Sequence, residues 1–371
     1  SYRPPEEPRR RRRRNHQDSP GQGNRRHRSG LAPSTSDGGR EMAMVPEPQF
    51  SNTASHSYYG RPIVKAPPWD ERVAAYLVCG GIAGGSSLLA FGAQLTGREV
   101  LRRNTRITAL AAAGVGAVAL VADLGRPERF YNMMRTVKLS SPMSLGSWVL
   151  AGFSTGAGVA AAADVDRMLG ETLPLGPLRG ILRAVEAPAG GLAALLGAPL
   201  AGYTAVLLSD TAMPTWNDAK EDLPFVFVSS ASIAASGMAM ITTPVGQTAP
   251  ARALAVFGVV ADVAATRYME ARMDPVAVEP LETGRPGMLM KWSERLAIAG
   301  GIGTLLGGRN RVVAAVSGAA LVTASAFTRF GVFYAGKDSA QDPRYTVEPQ
   351  KRRLAARRRA GITDDSITTV R

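Results

Sequence analysis

The sequence predicts an all-α polytopic membrane protein: eight transmembrane helices in two four-helix bundles, with disordered basic tails. Three observations carry that reading. First, charge is segregated. The 371 residues have a formal net charge of +14, and residues 1–66 hold 13 Lys/Arg against 6 Asp/Glu while residues 337–371 hold 9 against 5. The stretch between them holds 22 against 19. Second, this middle contains eight apolar stretches, most near the ~20 residues a bilayer-spanning helix needs. Third, those stretches are built from Ala, Gly, Leu and Val and mostly lack the polar face of a soluble helix. The mean hydropathy near zero is therefore an average over two different kinds of chain.

Taken in order, residues 1–66 are rich in Arg, Pro, Ser, Gly and Asn, with the run Arg9–Arg14 as the densest charge block. Such a segment buries too little apolar surface to offset its ordering entropy and reads as a disordered tail. It does not read as a secretory signal, since no apolar stretch follows the arginines closely. The membrane domain occupies 67–336. Its expected spans are 72–95, 106–123, 145–163, 188–208, 224–242, 250–268, 295–307 and 312–334, of which the seventh is short and glycine-rich. Small residues in these spans suit close helix contact in lipid. Residues 337–371, with Lys351-Arg352-Arg353 and Arg357-Arg358-Arg359, read as a basic C-terminal tail or a short cytoplasmic helix. Eight spans place both tails on one side. The loops carry about ten Lys/Arg on each side and do not decide orientation, so the tails set it, with both termini cytoplasmic in a cell membrane.

Composition excludes several chemistries. The single cysteine, Cys79, permits neither an intrachain disulfide nor an iron–sulfur cluster with about four thiolate ligands. The three histidines, His16, His27 and His56, all lie in the N-terminal tail. The apolar region thus has no ligand pair for a bis-histidine haem, no histidine-based zinc or copper site and no Ser/His/Asp triad.

The unusual polar residues gather at the tail-side ends of the first four spans. The first begins at Trp69-Asp70-Glu71-Arg72, with Tyr76 one turn in; the second ends at Asp123, followed by Arg126 and Tyr131. The third begins after Ser140-Ser141-Pro142, and the fourth carries Tyr203 and leads to Pro214-Thr215-Trp216. Asp123 reads as a helix cap, as a partner of Arg126, or as a carboxyl suited to proton exchange with a quinol. Trp69, Tyr131 and Trp216 suit an interfacial aromatic belt. The Tyr203 hydroxyl, about two turns inside its span, needs a partner, which a quinone carbonyl or a backbone carbonyl would supply. Gly80-Gly81 and Gly84-Gly85 read as helix packing or as room for a flat ring. Within the later spans, Asp262 is expected to pair with an arginine, Arg267 or Arg329, with a proton path as the other reading. Asp164 and Asp166, near the far face, suit the exit of such a path or ordinary loop carboxylates.

These motifs carry a resemblance. Asp123-Leu-Gly-Arg-Pro-Glu-Arg-Phe-Tyr-Asn-Met-Met with Ser-Pro-Met-Ser-Leu-Gly-Ser-Trp (141–148), and Ala-Gly-Tyr-Thr-Ala-Val-Leu-Leu-Ser (201–209) with Pro214-Thr215-Trp216, resemble the NrfD/polysulfide-reductase family of integral membrane subunits. Gly-Gly-Ile-Ala-Gly-Gly in the first span fits as well, and the resemblance runs over 69–335. It implies a subunit, not an enzyme on its own, that exchanges electrons between a quinone or quinol substrate and a docked ferredoxin-like four-cluster iron–sulfur subunit, with a molybdopterin oxidoreductase subunit beyond. It implies no haem and no iron–sulfur cluster in the chain. The quinone site it implies lies among the first four helices: Asp123 and Tyr203 carry the chemistry, and Glu71, Tyr76, Arg126, Tyr131 and Trp216 stand around them. Where some relatives place a histidine and an asparagine near the first helix, this chain offers Trp69, Asp70 and Glu71. Membrane lipids are expected partners and nucleic acid is not. The alternatives are a membrane anchor without quinone chemistry and a small-molecule or proton transporter.

Overall fold

A computed structural model describes residues 62–126, 128–135, 137–138, 141–307 and 309–362. The reading of residues 1–61 as a disordered tail lies outside the described residues, as does that of 363–371.

Helix signals in the sequence are local and are used where they occur. Asp70 accepts the Arg72 backbone N–H at 2.7 Å and caps α1 (Glu71–Leu95). Proline at the first helical positions, where no N–H partner is needed, opens α4 (Pro142–Met168) and the five-residue α6 (Pro214–Asp218). The Asn310 side chain caps α11 (Arg311–Gln341) through the N–H groups of Val312 and Val313. The other long helices are α2 (Glu99–Asp123), α5 (Leu178–Ser209), α7 (Leu223–Thr242), α8 (Ala249–Arg272) and α10 (Gly284–Gly307). Short helices α3 (Arg129–Met134) and α9 (Pro275–Glu282) and the terminal α12 (Arg344–Arg359) complete the order. No strand occurs among the described residues.

Seven helices, α1, α2, α4, α5, α7, α8 and α11, are long and apolar enough to cross a membrane. The eighth long helix, α10, has 24 residues, about 36 Å at 1.5 Å per residue, and lies along α11 and α8. Its tail-side half carries Arg285, Lys291, Glu294 and Arg295, so its apolar part is only the stretch expected from the sequence. The protein is therefore an all-helical, multi-pass membrane protein.

Two groups of four result: α1, α2, α4 and α5 pack together, as do α7, α8, α10 and α11, and α1 and α7 join them. Their seam is made of small residues. A Cβ on Gly85 would come within 2.7 Å of the Ala231 carbonyl and the Ala235 methyl on α7, and one on Gly84 would strike the α5 backbone at Gly197. The first-span glycines thus serve close packing on two sides.

Several helices are longer than the apolar pattern suggested. α2 starts at Glu99 instead of 106, and α5 at Leu178 instead of 188. Their extra turns are charged, and Arg102, Arg179, Arg183 and Glu186 among those charges are paired. Arg106 (4% exposed) meets Asp164 and Glu186, each at 2.9 Å, and Arg102 also reaches Asp164. Arg167 binds both carboxylates, while Arg179 and Arg183 hold Asp166. Asp164 and Asp166 are accordingly buried helix residues, not loop carboxylates. The C-terminal segment takes the helical form of its two readings. α12 is fixed to the tail-side surface by Arg353–Asp218 (2.5 Å), Arg352–Asp274 (3.0 Å) and Arg344–Glu279 (3.0 Å).

Candidate functional site

The tail-side end of the first bundle is assembled from helix ends that alternate in direction. Tyr76 projects from α1 and Tyr203 from α5, and their hydroxyls hydrogen-bond each other directly. Tyr76 is buried (1% exposed). Tyr203 lies against α4 at Gly146, where a Cβ would overlap the phenol ring, so glycine is required for this approach. Each tyrosine stands six residues from the end of its span, at Asp70 and at Ser209, about 9 Å down the helix axis.

Above the pair, Asp123 ends α2. Its carboxylate accepts the Asp70 N–H at 3.4 Å, and the Arg72 guanidinium donates to the neighbouring Ala122 carbonyl at 2.9 Å. The start of α1 and the end of α2 are thereby tied together. The partner of Asp123 is this backbone and not Arg126, which is exposed in the turn that follows. Tyr131 is 76% exposed on α3.

The remaining expected residues face elsewhere. Glu71 turns toward the second bundle: it accepts the Tyr334 hydroxyl at 2.5 Å and lies 3.8 Å from Arg285, whose guanidinium covers the Tyr334 ring at 4.1 Å. Trp216 is fully buried. It stacks on Trp69 at 6.1 Å, packs on Phe333 and Gly336, and gives its indole N–H to the Val332 carbonyl at 2.7 Å. Its contacts are those of a packing residue that locks α6 to α11. Trp69 shares that cluster and is not a free belt aromatic. Between Tyr76 and Glu71, then, it is Tyr76 that stands beside Tyr203.

One buried cation was not foreseen at its actual place. Arg329 on α11 is fully buried, donates to the Phe227 carbonyl at 2.9 Å and lies over the Phe227 ring at 4.7 Å. Its guanidinium fills the space that a side chain at Gly81 would take. The expected Asp262–arginine ion pair does not form within 4 Å among the described residues: Asp262 accepts Ser229 Oγ at 3.3 Å, and Arg267 pairs with Glu294 at 2.6 Å. Asp262 also lines a polar cavity of about 420 Å³ with Thr266, Glu270, Ser293, Glu294 and Thr328. A glycine on the first long helix facing an arginine on the last leaves no mark in local sequence.

The fold and this rim define a polytopic helical membrane protein with the Tyr76, Tyr203 and Asp123 cluster at the tail-side end of the first bundle and an ion-pair network at its far end. A family model described as polysulphide reductase, NrfD, matches residues 63–255, from just ahead of α1 into α8. The chain belongs to this family. The match covers all of the first bundle, whereas α10 and α11 lie beyond it. No curated protein matches the chain.

Proposed function

We propose that this chain is the quinone-binding membrane subunit of a multi-subunit oxidoreductase. It exchanges electrons between the quinone pool and a docked ferredoxin-like iron–sulfur subunit, with a molybdopterin subunit beyond, and carries no haem or cluster itself. The observation that carries the reading is the Tyr76–Tyr203 hydroxyl pair set below the Asp123 carboxylate, within the segment matched by the family model.

Oxidising a quinol releases two electrons and two protons, and reducing a quinone takes up both. The ring oxygens therefore need hydrogen-bonding partners and a proton acceptor near them. A ring that enters between α1, α4 and α5 takes the place of the direct tyrosine–tyrosine bond: each hydroxyl then turns to a ring oxygen. Asp123 lies about 9 Å above along the helix axis, too far for a direct hydrogen bond. Its role is to pass the proton on toward the tail side through water, while electrons leave one at a time for a cluster on the partner. The partner docks at this same end, which the basic tails place in the cytoplasm.

The second reading is a membrane anchor without quinone chemistry, and the closure of Tyr76 onto Tyr203 favours it. Titration of the purified complex with a quinone-site inhibitor separates the two. Electron transfer predicts stoichiometric loss of quinol oxidation; an anchor predicts none. For the proton role the test is Asp123→Asn in the intact complex, expected to slow quinol oxidation about tenfold or more, the lower range of general acid–base effects. A wild-type rate overturns that role and leaves binding by the tyrosines standing.

A further inference from the structure

We infer that the groove between the far-side ends of α8 and α10 binds one anionic phospholipid. The groove has a volume of about 530 Å³ and is lined by Arg252, Val256, Phe257, Leu305, Leu306 and Arg309 among others, with no acidic residue among the described residues that line it. Arg252 stands in the first turn of α8, and Arg309 lies in the turn between α10 and α11. Both arginines line the groove, one from α8 and one from the turn after α10. The Arg252 guanidinium is held in place by the Val245 carbonyl at 3.2 Å and the Thr248 hydroxyl at 3.1 Å.

The inner part is apolar and faces outward: Phe257 is 74% exposed, Leu305 66% and Leu306 85%. Phe257 lies five residues from Arg252 on α8, about 7.5 Å toward the membrane centre. The groove thus pairs a cationic end at headgroup depth with an apolar wall at acyl depth. Arginine forms forked hydrogen bonds to phosphate, and basic pockets between membrane helices hold lipid headgroups. The apolar wall selects a lipid over a soluble phosphate, because a free anion gains nothing from it. A groove whose described lining carries two arginines and no carboxylate favours a net-negative headgroup over a zwitterion.

The test uses the purified full chain in a neutral detergent, with its thermal unfolding midpoint as the readout and phosphatidylglycerol, phosphatidylcholine or glycerol 3-phosphate added. Phosphatidylglycerol is expected to raise the midpoint at concentrations where the other two do not. Arg252→Gln/Arg309→Gln is expected to need about tenfold more phosphatidylglycerol for the same rise, as follows from losing charged hydrogen bonds. If Arg252→Gln unfolds the chain, Arg309→Gln alone carries the test, since Arg309 is exposed and outside any helix. An unchanged response in the variant overturns the site. An equal effect of phosphatidylcholine shows unspecific lipid stabilisation and overturns it too, and an equal effect of glycerol 3-phosphate shows a soluble-anion site instead.

Discussion

Tyr203 serves two partners in turn: the Tyr76 hydroxyl in the structure and, in the proposal, a ring oxygen. Tyr203→Phe removes one hydroxyl and leaves the buried Tyr76 hydroxyl unsatisfied, at a cost of about 1–3 kcal/mol. The expected outcome is a folded complex whose quinol oxidation falls about tenfold, since one hydrogen bond of about 1.4 kcal/mol is a factor of ten. Steady-state quinol oxidation with the partner subunits attached checks this, and an unchanged rate favours the anchor reading. Gly81→Leu acts differently. The new side chain occupies the space of the Arg329 guanidinium and is expected to destabilise by about 1–3 kcal/mol through overpacking, read as a lower unfolding midpoint in detergent. At this scale the sequence was half legible. Tyr203 and Tyr76 could be picked out as polar groups inside apolar spans. Their mutual bond, the burial of Trp216 and the turn of Glu71 toward Tyr334 all depend on which distant helix lies opposite, and periodicity carries no such information.

At the scale of elements, apolar stretches located every long helix, because a span must bury or expose its whole length to hydrocarbon. They placed the ends poorly where charge enters the helix. The first turns of α2 and α5 look like loop from their arginines and are helix, with Arg102 paired to Asp164 and Arg179 and Arg183 paired to Asp166. α10 is the mirror case: its polar half looked like loop and is helix, with Glu294 paired to Arg267 on α8. α12 is held by another kind of pairing. Its three anchoring arginines are 47–60% exposed at the side chain, so each contact is weak and screened by salt. The Debye length shrinks to about 3 Å at 1 M salt. Raising salt from about 0.05 M to 1 M is therefore expected to speed amide exchange across α12 and leave α1 and α7 protected. Equal protection of α12 at both salts shows that packing, not charge, holds it.

The whole molecule turns on parity. Lys337 on α11 donates to the Trp69 carbonyl ahead of α1 at 2.7 Å, and Tyr334 donates to Glu71 at the start of α1. The end of the last long helix thus meets the start of the first, which requires an even number of crossings and makes α10 the eighth despite its charges. α12 follows on that same side, so it and the start of α1 share one side of the membrane. Which compartment is a matter of charge, because cytoplasmic flanks retain Lys and Arg: the tails bring an excess of 7 and 4 positive charges, whereas the loops are balanced. A reporter that is active only in the cytoplasm, fused after residue 362, is expected to be active, and the same reporter inserted between α7 and α8 at 246 is expected to be silent. A reporter active only outside the cytoplasm should give the opposite pattern at both positions. If both patterns are reversed, the loops and not the tails set orientation, and the docking end lies outside the cytoplasm. If the two positions behave alike, the number of crossings between them is not the three of α8, α10 and α11, and the assignment of eight spans fails.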